Sequence, residues 1–156
     1  DSFHDRAAEL RLPEPYADRI HALTSAHDWI WVEGNHDPDP PAHLGGRAEK
    51  SVRLGPLVFR HEPEGEAGEV SGHLHPVAKV KGRGRNVRRR CFASDGARLV
   101  MPALGAFTGG LNVLDEAFTK VFPEGLTAFA LGEGKVFVLS GGSLLGDVPR
   151  GAPWKL

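Results

Sequence analysis

Three short clusters in this sequence hold side chains that bind metal ions and move protons. They are Gly34-Asn35-His36-Asp37, His61 at the end of Val58-Phe59-Arg60, and Gly72-His73-Leu74-His75-Pro76, with Asp1 as a further carboxylate. In an extended segment, residues two apart point to the same face, so His73 and His75 can reach one metal ion or two adjacent ones. Gly72 frees the backbone to bend before the pair and Pro76 stiffens it after. Asn35 and His36 are neighbours and diverge, so one can coordinate while the other faces a substrate. Asp37 can accept a hydrogen bond from His36 and raise its basicity. Each cluster has a plain reading too. His-x-His can be two surface histidines, Gly-Asn and His-Asp are ordinary turn residues, and a strand-end histidine is often structural. Taken together, carboxylate, amide oxygen and imidazoles suit manganese, iron or zinc in expanded coordination, not a closed tetrahedral structural zinc. Two such cations roughly 3.5–4 Å apart acidify a water and clamp both oxygens of an in-line displacement, which is the chemistry of phosphate-ester hydrolysis.

The elements that must position these groups read as mostly short strands. Residues 6 to 12 have helix propensity and stop at Pro13, and Pro15 to about His27 reads as a helix with Tyr16, Ile20 and Leu23 at helical spacing. Trp29 to Val32 reads as a buried strand, with both tryptophans in the core, and residues 38 to 47 as a loop. Strands follow at Ser51–Leu54 and Leu57–His61, then an acidic loop from Glu62 to Gly72. Val77–Val80 and Arg88–Ala93 are expected to pair across a turn at 82–86. Asp95-Gly96 marks a hairpin between 91–93 and 98–101, and Gly132-Glu133-Gly134 another between 126–131 and 136–139. The segment from Thr108 to Asn112 reads as a turn whose bare backbone could approach a ligand, and the tail from Gly146 as loosely ordered.

Composition bounds the rest. The 156 residues, 40% of them apolar and 25% charged, fit one domain, residues 1 to 156, with a real core. Twenty glycines and twelve prolines favour strands and turns over a helical bundle. A net charge of −1 means that affinity for nucleic acid must come from a local patch. Lys79, Lys81, Arg83, Arg85, Arg88, Arg89 and Arg90 form such a patch just after His75, with no acid among them. The alternative is a solvated hairpin. The single cysteine, Cys91, excludes an intramolecular disulfide and thiolate-rich zinc sites; it reads as inert unless exposed beside its arginines. No apolar run approaches the roughly 20 residues that span a bilayer, and no signal peptide is visible, so a cytoplasmic setting without a membrane is expected.

The three clusters, in this order, resemble the calcineurin-like metallophosphoesterase superfamily, whose pattern ends in Gly-Asn-His-Asp or Glu, a lone His, and Gly-His-x-His. Residues 1–5, 29–38, 72–76, 87–92 and 99–113 further resemble its ligase-associated DNA damage response endonuclease branch. The resemblance implies an α+β fold, a four-layer α/β/β/α sandwich. It implies two divalent cations, manganese first with iron or zinc as alternatives. It assigns Asn35, His61 and His73 to one metal, His75 to the other, and Asp1 as the bridge between them. His36 becomes the general acid or charge stabiliser and Asp37 its orienting partner, while Arg83, Arg85, Arg88, Arg89 and Arg90 are expected to contact DNA. The implied function is hydrolysis of phosphodiester bonds by a DNA endonuclease of repair, on single-stranded or damaged DNA, with DNA ligase and helicase as associated proteins; the oligomeric state is left open. Two other readings stand beside it: a phosphodiesterase or phosphomonoesterase for small molecules, and a metal-free binding subunit. The family's first element, Asp-x-His, is absent, and its strand with it. The reading frame is therefore expected to continue upstream by roughly 30–50 residues, enough for a strand and its connection.

Overall fold

The computed structural model describes residues 2, 3, 7, 9–39, 41–106 and 108–147. Asp1, the first of the proposed ligands, lies outside the described residues. So do Arg6 and Ala8 of the helix expected over 6 to 12; the rest of that segment forms a single 3-10 turn at Glu9–Arg11 instead of an α-helix. Helix α1 (Glu14–Ala26) begins as expected, with a proline in its first turn where a missing N–H is harmless.

The described chain is a mixed α/β fold dominated by one large sheet. Its strands are β3 (Ser51–Leu54), β4 (Leu57–Arg60), β5 (Glu69–Ser71), β6 (Pro76–Lys81), β7 (Asn86–Ser94), β8 (Leu99–Val100), β9 (Leu111–Asn112), β10 (Thr127–Gly132) and β11 (Lys135–Ser140). The order across the sheet is β11-β10-β7-β8-β5-β4-β3, with β6 and β9 branching from β7. A separate parallel pair joins β1 (Ile30–Val32) to β2 (Arg47–Glu49). β5 and β9 replace an expected loop and turn, and β2 begins at the last residue of the expected 38–47 loop; all three are two or three residues long and exist through their pairing partners. In β1 only Trp31 is buried; Trp29 meets it edge-on at 5.4 Å, and the Trp31 indole N–H donates to Gly45 O.

The hairpins follow the turn chemistry. β10 and β11 pair across Glu133-Gly134, β6 and β7 pair from Val77↔Arg90 to Lys81↔Asn86, and Ser94↔Leu99 closes the turn that holds Asp95-Gly96. β7 serves three partners. Its first half pairs with β6, and its second half lies between β8 and β10. In that second half Cys91 and Ala93 alternate into the core, where they join Ala78, Val100, Ala128 and Ala130. These small side chains leave room for Phe118, Val121 and Phe122 of the short helix α2 (Glu116–Val121) and the residue after it. The Asp115 side chain caps α2 by accepting from Ala117 N–H.

The acidic loop after His61 is tied down: Glu69 is buried and accepts from the N–H groups of Glu64 and Glu66, while Arg53 and Arg60 both reach Glu66. The tail expected to be loosely ordered from Gly146 lies outside the described residues beyond Asp147; just before it, Leu145 N–H donates to Lys79 O and the Asn112 side chain donates to Leu145 O.

Cys91 is fully buried, and burial pushes its thiol up to about 12. The nearby arginines therefore do not activate it. Native protein is expected to leave a colorimetric disulfide reagent unreacted at neutral pH, and denatured protein to titrate one thiol. Rapid reaction of the native protein would show that the core opens around β7.

Candidate metal and phosphoester site

β4, β5 and β8 lie side by side and parallel, with Phe59 opposite Val70 and Ser71 opposite Val100. Parallel neighbours end together. Their C-terminal ends therefore deliver His61, Gly72 to His75 and the segment after Val100 to one edge of the sheet, the place where α/β sheets usually bind ligands. The main chain seals this edge: Gly72 N–H donates to His61 O, and Met101 N–H to Ser71 O. The turn after β1 brings Asn35 to the same place, closed by Gly34 N–H on Asp37 O.

Three donor atoms converge there. His61 Nε2 lies 2.7 Å from Asn35 Oδ1 and 3.1 Å from His73 Nδ1, and His73 Nδ1 lies 3.1 Å from Asn35 Oδ1. Hydrogen bonds cannot satisfy this triangle. The amide oxygen only accepts, and each ring nitrogen carries a proton or a lone pair. With both nitrogens protonated, two N–H groups face each other. With one protonated, two edges at most are bonded and only if one proton is shared, and with none protonated three lone pairs meet. A single cation at the centre resolves all three edges. Two donors about 2.1 Å from one ion at a right angle lie about 3.0 Å apart, which is the spacing observed. The donor set therefore fits a divalent ion. Among the described residues no three His, Cys, Asp or Glu side chains group in this way, so the amide oxygen of Asn35 is what completes the set.

The histidines are prepared for that role. Burial is the main cause that pushes His61 down to about 4, so the imidazole is neutral and offers its lone pair at neutral pH. Burial also lowers His75, with the charges of His73, His36 and Arg90 adding to it. The backbone differs from the extended segment expected of His-x-His. His73 and His75 both sit in the left-handed region, at φ 62° and 47°. Such a conformation costs a non-glycine residue about 1–3 kcal/mol and persists where the surroundings impose it, often at a functional site.

His36, His61, His73 and His75 line one cleft of about 590 Å³, with Phe3 and the segment after β8 as further walls. His36 is exposed and Asp37 buried, at 2%. Glu62, which the sequence reading passed over, brings a carboxylate oxygen to 4.0 Å from His73 Nδ1. Its only signal is that it follows His61. Another cleft, of about 630 Å³, runs along Asp95, Glu124 and Thr127, and none of the candidate residues lines it.

The basic stretch divides. Arg88 Nη1 donates to both oxygens of Asp147 at 2.7 Å, and with Lys79 it holds that carboxyl down to about 2. Arg90 donates to main-chain carbonyls of the segment after β8. Arg89, one residue along the strand, points to the opposite face. Among the described residues no carboxylate pairs with Arg83, Arg85 or Arg89. Gly110, in the expected turn, packs closely against β6: a Cβ there would lie 2.0 Å from Val77 Cγ2 and 2.9 Å from His75 O.

No family model matches the chain, and no curated protein does either. Among solved structures it is similar to the Pseudomonas putida nuclease MPE, with 25% identity and a TM-score of 0.60, over 89% of this chain and 68% of that one. The chain thus shares its fold with a nuclease. Among the described residues no helix is long and apolar enough to cross a membrane.

Proposed function

We propose that the protein is a metal-dependent phosphodiesterase acting on DNA, an endonuclease of the metallophosphoesterase kind. The observation that carries this reading is the triangle of Asn35 Oδ1, His61 Nε2 and His73 Nδ1, whose edges of 2.7, 3.1 and 3.1 Å match donors around one divalent ion. The fold shared with a nuclease supports the same reading. Asn35, His61 and His73 would hold one cation; His75 and Asp1 are proposed for a second. Manganese is the first candidate, with iron and zinc next, because the set mixes amide oxygen with imidazole. A four-layer α/β/β/α arrangement and a role in DNA repair belong to the same proposal.

When bound, such cations supply positive charge to the phosphoryl oxygens and acidify a water. The chain's own residues do the remaining work. His36, exposed on the cleft, would give a proton to the departing oxygen. Asp37, buried next to it in the chain, restrains the turn that carries it. Arg83, Arg85 and Arg89 are the proposed phosphate contacts outside the cleft, whereas Arg88 and Arg90 are engaged within the chain.

The test is hydrolysis of single-stranded DNA and of bis-p-nitrophenyl phosphate by the protein as encoded by its gene. Both should be cleaved with manganese, and neither after chelation. Failure on both substrates with manganese, iron and zinc alike would sink the proposal. Turnover of small phosphomonoesters with DNA left intact would move it to small-molecule chemistry.

A further inference from the structure

One wall of the cleft has no regular structure. It is made by residues 101–105 and Thr108, and Met101, Leu104 and Thr108 line the cleft together with His36, His73 and His75. Leu104 is 84% exposed there, and Met101 36%. An exposed leucine is ordinary when isolated, but this one borders a set of polar donors at the mouth of a cleft.

What holds the wall is Arg90. Its Nη1 donates to Leu104 O at 3.3 Å, and its Nη2 faces Gly105 O at 2.6 Å, Ala106 O at 3.4 Å and Thr108 O at 3.3 Å. A planar guanidinium with five N–H groups can serve several carbonyls at once; a lysine ammonium cannot hold the same fork. Arg90 itself is fixed in β7 opposite Val77, two residues after His75. The wall is thus clamped to the strand that follows the proposed ligands.

Resting on the reading of the site as a DNA phosphodiesterase, we infer that this wall is a nucleobase subsite. Leu104, with Met101 beside it, contacts a base next to the phosphate held in the cleft, and Arg90 is a positioning residue that presents Leu104 and does not touch phosphate. The chemistry matches: a polynucleotide offers an apolar base face beside each phosphate, and single-strand binders pair a charged track with apolar or aromatic platforms. Leucine is among the side chains that proteins insert against bases.

The experiment measures binding of labelled oligothymidylate, and of an abasic oligonucleotide of the same length, by the protein as encoded, across a salt series. Leu104→Ser should weaken binding of oligothymidylate about tenfold and leave the abasic strand unchanged. Its melting temperature should not move, since the side chain is exposed. Arg90→Lys should reproduce this base-dependent loss with an unchanged slope of log Kd against log salt, and the double variant should be no worse than either single one. Arg89→Gln, a proposed phosphate contact, should reduce the slope by about one on both strands. Equal effects of Leu104→Ser on the two oligonucleotides would overturn the subsite. A slope lowered by about one in Arg90→Lys would make Arg90 a phosphate contact and overturn its positioning role. Absence of binding to either DNA overturns the subsite as well, while hydrolysis of bis-p-nitrophenyl phosphate in the same preparation would leave the metal-centre reading standing.

Discussion

Replacing His73 with glycine is expected to empty the three-donor site, to lower phosphodiesterase activity by more than about 100-fold, and to leave the metal-free fold no less stable. The first part follows from the triangle, in which His73 Nδ1 supplies two of the three edges. Loss of even an outer partner of a metal ligand typically costs about 10–100-fold, and a direct ligand should cost more. The second part follows from the backbone. His73 holds φ at 62°, a region glycine enters without steric cost. Relief of about 1–2 kcal/mol of strain offsets the entropy that glycine adds to the unfolded chain, about 0.5–1 kcal/mol. Elemental analysis, a steady-state assay and chemical denaturation in chelator check the three parts. A structural histidine would give the opposite pattern: metal content retained, and stability lowered.

The sequence was most legible where the chemistry is local. The Asp95-Gly96 and Glu133-Gly134 turns encode their hairpins within a few residues, and the β7–β8 and β10–β11 pairings follow. Asn35, His61 and His73 stood out as candidates because few residue types can ligate a metal and each follows a strand, and the fold brings the three together. The rest depends on partners far along the chain. β2 and β5 are three polar-leaning residues each, which become strands because β1 and β4 offer parallel edges. The left-handed turns at His73 and His75 are only faintly marked in residue type, since histidine is enriched at positive φ but such residues are uncommon overall.

Arg88, Arg89 and Arg90 show the limit best. As letters they are equivalent, and a charge count assigns all three to a phosphate patch. Strand alternation sends Arg89 one way and the other two the opposite way. What Arg88 and Arg90 then meet, Asp147 and the carbonyls after β8, is decided by the tail and a loop folding back. Neutralising all three together would mix a lost phosphate contact with two lost structural clamps, so the variants must be made singly.

His36→Ala should keep the metal ions and the fold while kcat on DNA falls by about 10²–10⁴, the usual contribution of a positioned proton donor. His36 is exposed and shares the cleft with His61, His73 and His75, while its neighbour Asn35 is the one that joins the donor triangle. On the proposed reading, adjacent residues on this turn divide the work: the amide oxygen would ligate and the imidazole would face the substrate. A DNA strand leaves as an alkoxide that needs a proton, whereas p-nitrophenolate leaves without one. The loss should therefore be large on DNA and small on bis-p-nitrophenyl phosphate. Asp37→Asn is expected to act in the same direction and more weakly, because Asp37 is buried and is proposed to act through the imidazole and not on the substrate. Metal content by elemental analysis, beside kcat on the two leaving groups, decides the assignment. Loss of metal in His36→Ala would make His36 a ligand. An equal loss on both leaving groups would instead give it the task of stabilising charge on the phosphoryl oxygens, with the proton coming from elsewhere.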